Sequence, residues 1–304
     1  MKNFAVAIFG PTGIGKSSIA LKLAKENGEI ISVDSMQVYK YMNVGTAKPG
    51  KNELKLVKHH LIDFVTPDIQ FTAGDFKRQA QLIIEQILNR KKVPYLVGGT
   101  GLYFTALMRG MIDIPKIKND IKDFIILKWN KIGQERMYKI LSKLDCDYSK
   151  IIHPNDKQRT LRALEVILGT GKKFSEYISK KNQKIDINFI SVGINIEREI
   201  LYRIINNRVD KMIKDGFIEE VKDLLNKGYN KNDPGMKAIG YKELVEYIEG
   251  RKNLEETIQD IKRNSRRYAK RQLTWFKKID NVYWFKNDEI NEIKNYVENQ
   301  IDNL

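Results

Sequence analysis

Residues Gly10-Pro11-Thr12-Gly13-Ile14-Gly15-Lys16-Ser17 fit the pattern G-x-x-x-x-G-K-[ST]. They follow a continuous apolar run, Phe4–Phe9, and precede a segment, Ser17–Lys25, in which Ile19 and Leu23 recur at helical spacing. An apolar run without polar alternation reads as a strand buried on both faces, as in a parallel sheet. Strand, glycine turn and helix in that order make a P-loop. Its glycines let backbone N–H groups turn inward around phosphate oxygens, and the helix N-terminus adds partial positive charge. Lys16 neutralises a phosphate as a point charge. The Ser17 hydroxyl is the candidate Mg²⁺ ligand.

The rest of the chain supplies more strands of the same kind. Glu29–Val33 and Val93–Val97 read as strands, and Phe71–Arg90 as a helix. Thr72 and Asp75 stand at capping-box spacing, and Phe76, Ala80, Ile83, Ile84 and Ile87 form an apolar face. From about Ile112 the spacing predicts helices over Asp120–Lys131, Glu135–Leu144 and Asp156–Leu168, then a polar break at Lys180–Lys184. Phe189–Ile194 reads as a strand again, and the chain beyond Ile196 as mostly helical. Strands alternating with helices imply a parallel sheet covered on both faces. The expected fold is α/β: a P-loop NTPase-like parallel-sheet core (1–112 and 185–304) with an inserted helical domain (113–184) and a helical C-terminal region.

A chain of 304 residues, 42% hydrophobic, can bury a sizeable core. That excludes a disordered tail, a collagen and a disulfide-stapled miniprotein. The single cysteine, Cys146, cannot form an intramolecular disulfide, and a cytoplasmic location is expected. Phe4–Phe9 is too short for a signal h-region, and no 18-residue apolar stretch suggests a membrane span.

Lys plus Arg number 54 and Asp plus Glu 38, a net charge of +16. The surplus suits a polyanionic partner. Forty of those bases are Lys, beside abundant Ile and Asn, so an AT-rich genome explains it equally well. More pointed is Lys262–Lys278, with eight basic residues and no acid in 17 positions. Tyr268, Trp275 and Phe276 interleave there. On a helix, Arg266, Arg267 and Arg271 would make a stripe able to track a phosphate backbone; the alternative is an ordinary solvated face.

One carboxylate stands out. Strand C-termini in a parallel sheet face the same crevice as the P-loop. The Val93–Val97 strand ends in Gly98-Gly99-Thr100-Gly101 without an acid, whereas Glu29–Val33 ends in Asp34. Asp34 could ligate Mg²⁺, act as a general base, or cap a turn. His59, His60 and His153 are the only histidines. With no Cys beside them, they are expected to serve structure or RNA contact rather than a metal.

These residues accumulate into a resemblance. Gly10–Ser17, Ser32-Val33-Asp34-Ser35-Met36-Gln37-Val38-Tyr39-Lys40, Gly45-Thr46-Ala47-Lys48-Pro49, His59-His60-Leu61-Ile62-Asp63 and Leu96–Tyr103 resemble the bacterial tRNA dimethylallyltransferases. So do Ile152–Asp156 with Arg159, Arg162 and Glu165, then Ala238–Glu243 and Lys270–Phe276. The motifs run in family order from residue 10 to 276.

The resemblance implies transfer of a dimethylallyl group from dimethylallyl diphosphate to N6 of the adenosine 3′-adjacent to the anticodon, in tRNAs reading codons that begin with U. It implies diphosphate on the P-loop with Mg²⁺ as cofactor, Asp34 as base, and Thr100 and Arg208 near the donor phosphates. Asp34, Ser35, Met36 and Gln37 correspond to its tRNA-contacting stretch, as do Gln158, Arg159, Thr160, Leu161 and Arg162 in the inserted block. Arg162 could instead pair with Glu165.

Many members carry an Arg where this chain has Ile204, with Arg203 one position off, and Asp-Pro where it has Asp145-Cys146. The expected partners are the tRNA anticodon stem-loop and dimethylallyl diphosphate, with no membrane and a monomeric protein. The alternatives are an ATP-dependent small-molecule kinase, a free adenine-nucleotide prenyltransferase and a non-catalytic RNA-binding protein.

Overall fold

The apolar run Phe4–Phe9 forms β1, buried from Ala5 onward, and hands the chain to the glycine turn and to α1 (Lys16–Ala24). The computed structural model describes residues 3–112, 114–179 and 185–303. Then come β2 (Gly28–Val33), α2 (Lys51–Leu56), β3 (His59–His60), α3 (Ala73–Asn89), β4 (Val93–Gly98) and α4 (Gly101–Met108). The Thr72–Asp75 capping box forms as expected and starts α3.

After α4 lie α5 (Asn119–Leu144), α6 (Cys146–Ile151), α7 (Lys157–Thr170) and α8 (Phe174–Ile178). The chain then continues through β5 (Asn188–Asn195), α9 (Arg198–Lys214), α10 (Phe217–Asn226), α11 (Tyr241–Ile248), α12 (Leu254–Phe276), β6 (Val282–Lys286) and α13 (Ile290–Asp302).

The six strands form one sheet in the order β3-β2-β4-β1-β5-β6, every neighbouring pair parallel. One face packs Phe9, Val33 and Leu96 against Phe76, Ile84, Phe104 and Phe276. The other packs Ile8, Val97 and Val192 against Ile19, Ala20, Ile293 and Val297. β6 departs from the expected helical C-terminal region: Val282–Lys286 pairs with β5 at the sheet edge. Five residues after a long helix carry too little periodicity to announce a strand, and the pairing partner lies far back in sequence.

The chain divides into one compact unit of Met1–Met108 with Ile185–Leu304 and a second of Arg109–Lys184. In the second unit, Trp129, Leu141, Leu164 and Phe174 belong to a core of its own. The two helices expected on either side of residue 133 are both present: Gly133, at φ 77° and ψ 174°, is non-helical and separates the two halves of α5. Asp145 is fully buried. Its carboxylate accepts from the Tyr148 N–H at 3.1 Å, capping α6, and from the Ser175 N–H at 2.8 Å. Cys146 is therefore the first residue of α6, the helix position that favours proline. Lys180–Lys184, the polar break, lies outside the described residues.

Glu29 ties the β2 end of the sheet to its neighbours. Buried in β2, it accepts from His60 Nε2 (2.7 Å), Arg90 (2.8 and 3.2 Å) and faces Lys92 Nζ at 3.3 Å. His60 is thus a structural partner, as is His59, whose Nδ1 lies 2.8 Å from the Val57 carbonyl. Burial works to raise the Glu29 carboxyl, but its three basic partners outweigh it and hold it at about 2. A carboxylate depressed on folding adds stability that is complete above its ordinary value of 4.5. That stability is lost as pH falls from there toward 2. Urea denaturation between pH 6 and 3 is expected to show this loss, and Glu29→Gln to lower stability at pH 7 by about 2 kcal/mol while flattening the acid limb.

Candidate active site

The glycine turn after β1 is shaped by backbone need. Gly13 and Gly15 sit at φ 85° and 92°, in the left-handed region that side chains with a Cβ rarely enter. A Cβ on Gly10 would lie 2.6 Å from the Ile194 carbonyl oxygen, so β5 also demands glycine there. Lys16 folds its Nζ back to the Pro11 carbonyl at 2.7 Å. Burial lowers its ammonium to about 7; the charge of Arg208 acts in the same direction and Asp34 opposes both. Arg208, on α9, donates Nη1 to the Thr12 hydroxyl at 3.2 Å, and burial lowers it too. Neither cation meets a carboxylate at ion-pair distance among the described residues. The result is an electropositive hollow beside exposed N–H groups, with the Ser17 hydroxyl open to solvent on the first turn of α1.

Asp34 follows β2 directly. Its Oδ1 accepts from the Met36 N–H (2.8 Å) and the Gln37 N–H (3.3 Å), while Oδ2 takes no hydrogen bond from a described residue. The expected turn-capping role is thus real, yet it occupies only half of the carboxylate. The neighbouring loop after β4 is stitched to it. The Thr100 N–H donates to Val33 O at 3.1 Å, and Thr100 Oγ1 accepts from the Ser35 N–H at 3.0 Å.

Two residues on α12 complete the arrangement. Gln272 is buried, accepts from the Thr12 N–H at 2.9 Å and donates to the Gly99 carbonyl at 2.9 Å, so one amide clamps the P-loop to the β4 loop. Tyr268, one turn earlier, lies beside Thr100 and Gln272, and burial with the Asp34 charge pushes its phenol up to about 12. Sequence reasoning missed both as site organisers. Their i, i+4 spacing on the inner face of the basic helix was the available signal.

Several expected contact residues have other duties. The Gln37 carboxamide donates to Thr46 O (3.3 Å) and Ala47 O (3.2 Å) and accepts from Ser32 Oγ (2.9 Å), so both its donors are spent on bracing a loop. Thr160 is fully buried in the helical unit, so its side chain is out of reach of RNA, while Leu161 is half-buried and packs in part against that unit's core. Gln158 and Arg159 are exposed, Arg159 pairing with the α7 cap residue Asp156. Arg162 makes the Glu165 ion pair at 3.2 Å.

On α12 the stripe is narrower than its sequence. Lys262 is paired with Asp210 at 2.7 Å, Arg263 with Asp260 at 2.6 Å, and Arg266 with Asn206 at 2.7 Å, while Arg267, Lys270 and Arg271 remain exposed. Ile204 approaches Gly13 of the P-loop, whereas Arg203 is exposed on the next face of α9.

Comparison with known proteins is consistent across the chain. Residues 37–279 match the family model of IPP transferase. The tRNA dimethylallyltransferase of Thermoanaerobacter sp. (strain X514) is 46% identical over 96% of this chain and 94% of its own. That of Alkaliphilus oremlandii is 42% identical over 98% and 96%. The crystal structure of the tRNA isopentenylpyrophosphate transferase from Bacillus halodurans superposes with a TM-score of 0.74 at 40% identity, covering 99% of this chain and 98% of that one. A eukaryotic dimethylallyltransferase acting on tRNA gives a TM-score of 0.81 at 29% identity over 98% of this chain and 77% of that one. With the family model spanning residues 37–279 and these relatives covering 96% to 99% of its length, the chain belongs to the IPP transferase family.

Proposed function

We propose that this protein transfers the dimethylallyl group of dimethylallyl diphosphate to N6 of the adenosine 3′-adjacent to the anticodon, in tRNAs reading codons that begin with U. The observation that carries the reading is Asp34. One carboxylate oxygen is held by two backbone donors, the other takes no hydrogen bond from a described residue, and its charge reaches both Lys16 and Arg208. An exocyclic adenine amine is a weak nucleophile, and a fixed carboxylate can take its proton as the C–N bond forms. N6 attacks C1 of the dimethylallyl group, the C1–O bond breaks, the proton passes to Asp34, and diphosphate leaves.

Negative charge grows on the leaving oxygen, where Lys16, Arg208 and the N–H groups of Gly13 to Ser17 would receive it. Thr100, anchored to Ser35, would turn its hydroxyl proton from Ser35 Oγ toward a phosphate oxygen. Ser17 offers a hard oxygen donor on the first turn of α1, which suits Mg²⁺; phosphate oxygens and water would complete its shell. The ion would supply charge neutralisation on the diphosphate.

The target adenosine must leave its stack to reach Asp34. On α12, Arg267, Lys270 and Arg271 supply exposed cations for the anticodon stem-loop; within the helical unit, α7 supplies Gln158, Arg159 and Arg162. No helix among the described residues is long and apolar enough to cross a membrane. One chain carries all the proposed groups, so the reading takes a monomer working in the cytoplasm.

Three outcomes test it. With labelled dimethylallyl diphosphate and unmodified tRNA, Asp34→Ala is expected to lower turnover by about 10²–10⁴-fold and to leave tRNA affinity nearly unchanged; full activity in that variant removes the base. Lys16 is largely neutral at pH 8 because its value is about 7. A bound diphosphate raises it again, so binding takes up close to one proton, measurable by calorimetry in buffers of different ionisation enthalpy and absent in Lys16→Met. Replacing Arg267, Lys270 and Arg271 with Gln is expected to reduce the slope of log affinity against log salt by about 2–3; an unchanged slope takes α12 off the RNA surface.

A further inference from the structure

Glu220 lies outside the hollow, on the first turn of α10, yet its carboxylate is fully committed to a loop 175 residues away in sequence. Oε2 accepts from the Asn43 and Val44 N–H groups, each at 2.7 Å. Oε1 accepts from the Gly45 N–H at 3.1 Å and from the Tyr241 hydroxyl at 2.6 Å. Three successive N–H groups converging on one carboxylate form an anion nest, here filled by the protein itself. The approach is close: a Cβ on Gly45 would lie 2.2 Å from the Phe217 ring and 2.6 Å from that of Tyr241.

The other side of the same loop is held by Gln37, which donates to the carbonyls of Thr46 and Ala47, and Gln37 in turn donates its own N–H to Asp34. Glu220 fixes the loop through its N–H groups and Gln37 through its carbonyls. The loop also lines a cavity of about 700 Å³ that Arg208 lines as well.

We propose that Glu220 is a positioning residue for the transfer reaction, anchoring residues 43–47 so that Gln37 and, through it, the Asp34 carboxylate keep their orientation opposite Arg208. This rests on the transferase reading above. The carboxylate is needed for charge and not for shape alone, because four donors meet two oxygens. A carboxamide would turn an N–H group against at least one of them.

The test is Glu220→Gln, read by hydrogen exchange at amides 43–45, by inorganic pyrophosphate affinity and by steady-state transfer to tRNA. The expected result is loss of protection at those amides and a kcat lowered tenfold or more, with pyrophosphate affinity within twofold of wild type. Tyr241→Phe, which removes the fourth donor only, is expected to lower Tm while keeping the amides protected and kcat at the wild-type value. Loss of protection with wild-type kcat overturns the proposal, and so does loss of kcat with protection intact. If Glu220→Gln does not fold, Glu220→Asp, which keeps the charge but not the reach, takes the same readouts with a smaller loss expected. A wild-type protein with protected amides but no transfer overturns the transferase reading; wild-type amides that exchange freely overturn the anchor alone.

Discussion

Lys16 and Arg208 are two half-buried cations that the fold holds near each other, with no carboxylate at ion-pair distance among the described residues. Burying like charges is costly, and nothing in the sheet requires it. The protein meets the cost with neutral acceptors, the Pro11 carbonyl and the Thr12 hydroxyl, and with the field of Asp34 beyond them. A neutral acceptor holds a cation in place and leaves its charge unspent. The surrounding arrangement depends on that choice. The glycine turn must be tight to bring its N–H groups inward, β4 must end without an acid, and α9 must run close enough to the P-loop for Ile204 to approach Gly13.

Holding such a hollow open requires stiffness, and the stiffness comes from across the chain. The sheet places the ends of β1, β2 and β4 side by side. Gln272 then ties the first loop to the third, while Thr100 ties the third to the second. Each link joins residues that are distant in sequence. Groups held this way need little reorganisation when charge develops, which is where preorganised electrostatic stabilisation arises.

The core strands were legible because burial on both faces writes an unbroken apolar run, as in Phe4–Phe9 and Val93–Val97. The P-loop and Asp34 were legible because their chemistry is local to a motif and a strand end. β6 was not, since an edge strand of five residues is defined by its partner. Tyr268 and Gln272 were hidden inside a run whose basic residues mark its outer face. Gln37 and Thr160 show the converse: a polar residue inside a specific motif reads as a ligand contact until the neighbour that satisfies it, or the core that covers it, is seen. Only long-range proximity separates those cases.

α12 presents Gln272 and Tyr268 to the loops around the hollow and exposed cations to solvent, over the same few turns. Such a helix has almost no neutral face. Drift in its inner residues disturbs loop geometry, and drift in its outer residues changes the charge offered to a polyanion. The segment between Arg266 and Gln272 can therefore vary only by changes acceptable on both sides at once. Over evolutionary time it should change more slowly than a helix that answers to one side alone.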